Sequence, residues 1–80
     1  MNQTNSILQR KEYGKIKIKL KEQLDARGMT RNYLARQIDA RFEVVNKWYQ
    51  NQVDKIDADI LARICFVLQC RVEDIIEYTE

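Results

Sequence analysis

Apolar residues recur along this chain with two different periods, and the change between them marks where elements begin. From Lys15 to Lys19 lysine and isoleucine alternate strictly, the two-residue period of a short strand. Beyond that point the spacing lengthens. Leu20 and Leu24 are four apart, as are Leu34 and Ile38, while Val44, Val45 and Trp48 make a further helical stripe. Ile60, Leu61, Ile64 and Leu68 extend the pattern, and Ile75 and Ile76 close it.

Residues with strong local preferences bound these stripes. A first helix is expected over about Lys19–Arg27, with Gly28 where a left-handed cap ends it. Thr30 is placed to cap a second helix, Arg31–Ile38. Asp39 follows as a hinge, because Asp tolerates left-handed backbone better than most residues other than glycine. A third helix spans about Arg41–Gln50 and a polar loop covers Asn51–Ile56. Asp57 caps a fourth helix ending near Leu68, with Ile56 and Leu61 spaced as a hydrophobic staple. A short fifth helix, Val72–Glu77, would bury Ile75 and Ile76 and carry Glu73 and Asp74 in its first turn, where the helix dipole favours acids. Residues 1–12 show no apolar period and read as a flexible arm ahead of one domain, 13–80.

Eighty residues suffice for one small core. The absence of proline, with only two glycines, disfavours a turn-rich β fold. The expected class is therefore all-α: five compact helices with a short strand-like lead-in. No apolar run approaches the roughly 20 residues a membrane span needs. Met1–Gln9 lacks the charged lead and apolar stretch of a secretory signal, so a cytoplasmic location is expected. Without histidine, Cys65 and Cys70 cannot complete a four-ligand zinc site, and in a reducing compartment they are expected as two buried, small apolar side chains. Neither a metal nor a cofactor is implied. An enzyme is disfavoured too, because the chain has no histidine base and no glycine-rich phosphate loop.

If the apolar stripes pack inward, the third helix turns Arg41, Phe42, Glu43, Asn46, Lys47 and Gln50 outward, the kind of polar rod that enters a major groove. Charge agrees in direction. Residues 1–50 hold eleven Lys/Arg against five Asp/Glu, a balance of +6, whereas residues 51–80 hold three against seven, a balance of −4. The alternatives stay open at this point. Glu43 and Lys47 are also spaced as an ordinary helical ion pair, and Phe42 as a packing residue. The lysine ladder Lys15, Lys17, Lys19, Lys21 suits a guarded strand edge, a nonspecific DNA arm, a strand pairing with a second subunit through Ile16 and Ile18, or a solvated stretch.

The order Thr30, Leu34-Ala35, Asp39, Val45, Trp48 resembles the phage repressor and Cro-like helix-turn-helix regulators, often called the XRE type. The resemblance runs from about Lys19 to Tyr78. The tail Leu61-Ala62-Arg63-Ile64-Cys65, Leu68-Gln69-Cys70 and Glu73-Asp74-Ile75-Ile76-Glu77-Tyr78 resembles a compact bacterial branch of that family. Two positions depart from the pattern: the turn residue is usually glycine rather than Asp39, and the next is usually a bulky aliphatic rather than Ala40. What the resemblance implies is contact of Phe42, Glu43 and Lys47 with base edges, and of Thr30, Arg31, Arg41, Asn46 and Gln50 with phosphates or the groove wall. The implied partner is double-stranded DNA, bound by a homodimer, with neither a membrane nor a small-molecule substrate involved. The competing expectation is a protein-interaction module, antitoxin-like or partner-controlling, that keeps the same fold.

Overall fold

The computed structural model describes residues 13–80. The arm expected over residues 1–12 lies outside that range. In chain order the elements are β1 (Lys15–Ile18), α1 (Leu20–Arg27), α2 (Arg31–Gln37), α3 (Phe42–Tyr49), α4 (Ala58–Leu68), α5 (Val72–Ile75) and β2 (Ile76–Thr79).

The fold is mostly helical but not all-α, which corrects the class read from the sequence. The helix expected over Val72–Glu77 stops at Ile75, and the chain continues as a strand that pairs antiparallel with β1. The register sets Ile16 opposite Tyr78 and Ile18 opposite Ile76, so these four residues share one face of the ribbon. Ile18 is buried, whereas Ile16 and Tyr78 are 51% and 56% exposed, because the ribbon runs on past the edge of the core. Gly14 sits against the end of β2, where a Cβ would overlap the Thr79 carbonyl. Its N–H donates to the Tyr78 hydroxyl at 2.7 Å.

One cluster holds the helices together. Leu20, Leu24, Leu34, Ala35, Ile38, Val45, Trp48, Ile64, Leu68 and Ile75 are all buried, joined by Ile18 from the ribbon. Val44, Ile60, Leu61 and Ile76, expected inside, are half-buried at its rim. Cys65 and Cys70 are likewise half-buried and unpaired, not enclosed. The cap assignments hold. The Thr30 hydroxyl accepts from the Tyr33 N–H, and the Asp57 carboxylate accepts from Asp59 and Ile60. Ile56 is exposed while Leu61 is only half-buried, so the staple buries little area.

Helices α1 to α4 end in the same way. After each, one residue takes a left-handed backbone: Gly28, Asp39, Asn51 and Gln69. Each next residue then donates its N–H back five positions, Met29 to Leu24, Ala40 to Ala35, Gln52 to Lys47 and Cys70 to Cys65. These are Schellman caps, and just one of the four uses glycine. Asp39 therefore does adopt the hinge geometry, at φ 55°, without glycine's freedom.

Two substitutions test this packing. Trp48→Ala should cost roughly 3–5 kcal/mol, enough to unfold much of so small a domain, and an unchanged melting temperature would contradict the burial of Trp48. Asp39→Gly should raise the melting temperature by a few degrees by relieving left-handed strain worth about 0.5–1 kcal/mol, and Asp39→Val should lower it.

Candidate nucleic-acid interface

The left-handed turn at Asp39 sends α3 across α2, and these two helices pack mainly on each other. Leu34 and Ala35 face Val45 and Trp48 inside the shared core. With that stripe buried, the remaining positions of α3 must point away. Arg41, Phe42, Glu43, Lys47 and Gln50 are exposed and Asn46 is half-buried. Arg41 is the N-cap residue of α3 but makes no capping bond through its side chain, so its guanidinium stays free of that duty.

Glu43 and Lys47 do not pair. Among the described residues neither takes part in an ion pair within 4 Å, so the intrahelical salt bridge that their spacing allows is absent. A carboxylate and an ammonium thus stand side by side on the outer face of α3, each open to an external partner.

Arg31 and Asn46, both expected at phosphates or the groove wall, are joined to each other. Arg31 donates from Nη1 to Asn46 Oδ1 at 2.8 Å, bridging the start of α2 to the middle of α3. The guanidinium also lies 4.5 Å from the centre of the Tyr49 ring and 5.7 Å from that of Phe42. Stacking of this kind holds a cation in place while leaving donors at its edge unused. Phe42 is thereby turned partly toward Arg31, although 39% of it remains exposed. Thr30 spends its oxygen on the helix cap, which leaves its hydroxyl proton available.

The anchoring continues behind Tyr49. Its hydroxyl donates to Asp25 Oδ1 at 3.0 Å, and Lys21 Nζ bonds Asp25 Oδ2 at 2.8 Å. The bond from Lys21, followed by that from Tyr49, holds the Asp25 carboxyl below its usual range, and Asp25 in turn raises the Lys21 ammonium. Asp25 therefore stays ionised into mildly acidic solution, and this link is lost only as the pH falls through its lowered pKa. Both groups are exposed, so the pair orients more than it stabilises. One connected chain, Lys21–Asp25–Tyr49–Arg31–Asn46, runs from α1 through α3 to α2 and back to α3.

Sequence reasoning named Arg31, Phe42 and Asn46 but missed Tyr49 and Asp25. The available signal was the place of Tyr49 one residue beyond Trp48, at the edge of the apolar stripe and on the side facing α2. It also missed Asn51, which ends α3 in left-handed geometry and accepts the Ile18 N–H through Oδ1 at 2.8 Å, tying the ribbon to this helix. Arg63 is a further tie. It pairs with Asp59 at 2.7 Å and donates to the Ile38 carbonyl at 2.9 Å, fixing the end of α2 onto α4.

Three of the four ladder lysines are engaged within the chain. Lys19 pairs with Glu77 at 3.0 Å, Lys21 with Asp25 at 2.8 Å, and Lys17 approaches Glu22 at 3.8 Å. Among the described residues no helix is long and apolar enough to cross a membrane.

Comparison with known proteins agrees with this geometry. No curated protein matches the chain. The crystal structure of a "putative DNA-binding protein" from Bacteroides fragilis superposes with a TM-score of 0.70 at 19% identity, covering 79% of this chain and 100% of that one. At that identity the likeness speaks for the fold alone. The sequence profile of the Cro/C1-type helix-turn-helix DNA-binding domain matches residues 19–80, from the start of α1 through the end of β2. With so much of its length matched, the chain belongs to the Cro/C1-type helix-turn-helix DNA-binding domain family.

Proposed function

We propose that this protein is a sequence-specific regulator of transcription that lays α3 in the major groove of double-stranded DNA. The observation that carries this reading is the outer face of α3. Glu43 and Lys47 stand exposed there, with no ion-pair partner among the described residues, beside a guanidinium already held at the helix flank by Tyr49 and Asn46. A solvated face with no outside partner gains little from leaving opposite charges four residues apart unpaired, whereas a reading face needs both free.

In this proposal Lys47 donates to guanine O6 or N7, Glu43 accepts from cytosine N4, and the exposed part of Phe42 packs on a thymine methyl. Thr30, Arg31, Arg41 and Gln50 meet phosphates on either side, with Asn46 presenting its free amide edge to the groove wall. Glu43 lowers affinity for DNA in general, because a carboxylate near phosphates is repelled unless a donor base faces it. One short helix reads few base pairs. We therefore infer a two-fold dimer on a palindromic site with half-sites about 34–36 Å apart.

The second reading, a protein-interaction module on the same fold, is favoured by Glu43 and by apolar side chains left in solvent, above all Phe66 at 76% exposure. A mobility shift across a salt series separates the two. Binding to DNA should weaken linearly on a log–log scale, with a slope of about −0.9 per phosphate neutralised. Failure to retain any duplex at low salt would leave the interaction module standing.

Lys47→Ala should weaken the selected site by about 1–3 kcal/mol while changing binding to random DNA much less. An equal loss on both would make Lys47 a phosphate contact. Arg41→Ala should reduce binding to all sequences alike and flatten the salt slope by about one unit.

A further inference from the structure

We propose that Cys65 and Cys70 form a dithiol pair that hydroperoxides convert into an intramolecular disulfide across the end of α4. The placement comes from the cap of this helix. In a Schellman cap the side chain four residues before the left-handed position commonly meets the side chain just after it. At α4 the left-handed residue is Gln69, at φ 53°, so those two positions are Cys65 and Cys70. The cap is closed in full: Cys70 N–H donates to the Cys65 carbonyl at 3.1 Å and Gln69 N–H to the Phe66 carbonyl at 3.3 Å. The corresponding pairs at the ends of α1 and α2 are Leu24 with Met29 and Ala35 with Ala40, apolar in both cases, as this contact usually is. At α4 the two contact positions are both cysteine.

Three further observations support the pairing. Both cysteines pack against the core but remain half-buried, so the sulfurs are screened from bulk solvent without being sealed from a small oxidant. Burial raises the Cys70 thiol, and the neighbouring Cys65 raises it further. The corner is rigid. Arg27 donates from Nη2 to the Leu68 carbonyl at 3.1 Å, and the Arg71 N–H donates to Asp74 Oδ2 at 2.9 Å, so the backbone on both sides of Gln69 is fixed. Arg27 and Asp74 are also the charged neighbours of Cys70, the first favouring its thiolate and the second opposing it.

The chemistry balances with the hydroperoxide as the sole oxidant. The thiolate of one cysteine attacks the peroxide oxygen, the O–O bond breaks, and a sulfenic acid forms as the first water or alcohol leaves. The thiol of the other cysteine then attacks that sulfur, the S–O bond breaks and a second water departs with the proton. Two thiols lose two electrons and two protons in all, and an added dithiol returns them. This site lies on α4 and the link that follows it, not on α3, so it stands whether or not the proposed DNA binding does.

The test uses the full chain, reduced and folded, treated with hydrogen peroxide and followed by intact mass and thiol titration. The expected result is a loss of about 2 Da and of both thiols, with no disulfide-linked dimer under denaturing, non-reducing conditions and the change reversed by dithiothreitol. Cys65→Ser and Cys70→Ser should instead stop at sulfenic acid or higher oxides, about 16 Da heavier or more. The oxidised chain should melt no lower than the reduced one, because a bond that fits the native cap also constrains the unfolded chain. Gain of oxygen on wild-type cysteine without the loss of 2 Da, disulfide-linked dimers as the main product, or a lower melting temperature after oxidation would each overturn the proposal.

Discussion

The angle between α2 and α3 is the constraint on which the rest of this molecule depends. It is set at one residue, Asp39, whose left-handed backbone ends α2 and redirects the chain. From that turn follow the burial of Val45 and Trp48 against Leu34 and Ala35, and the exposure of Arg41, Glu43, Lys47 and Gln50 on the far side of α3. The helix is too short to be stable alone, so its shape is imposed by the core beneath it. The outer face is in turn held from the side by Arg31, Tyr49 and Asp25, which brace α3 against both neighbouring helices. Core packing fixes where α3 lies, and the polar chain fixes how its flank is presented.

Much of this was legible in the sequence. Local signals carried the helices: four-residue apolar spacing, Thr30 and Asp57 as caps, Gly28 and Asp39 as turns. Each of these acts within a few residues of itself and can be read without the partner. Asn51 and Gln69 also end helices in left-handed geometry, but amides occur widely on helix surfaces and nothing beside them marks a turn. The second strand was not legible for a different reason. Ile75 and Ile76 fit the last turn of a helix, and what makes Ile76–Thr79 extended is a partner strand 64 positions earlier for the Gly14 and Lys15 contacts. A pairing so remote leaves no local trace.

The candidate face shows the same division. Which residues point outward from α3 followed from the apolar stripe. How they engage one another did not, since the Arg31–Asn46 bond and the stacking of Arg31 on Tyr49 depend on the crossing of two helices. The cysteines make the point in reverse. Taken as two isolated small residues they belong in the core. Taken at the two contact positions of a helix cap, they are neighbours.

The ribbon has a consequence for how the molecule breathes. Its two strands lie at opposite ends of the domain's sequence, so pairing Ile18 with Ile76 closes a loop over all the helices between them, at a corresponding cost in loop entropy. Beyond the Ile18–Ile76 rung, of which Ile18 is buried and Ile76 half-buried, only Ile16 and Tyr78, both largely in water, line the apolar face. Amide hydrogens at the outer rungs therefore exchange with solvent through local fraying, well before the helical core opens. The pairing that joins the two ends of the domain is thus the first to part.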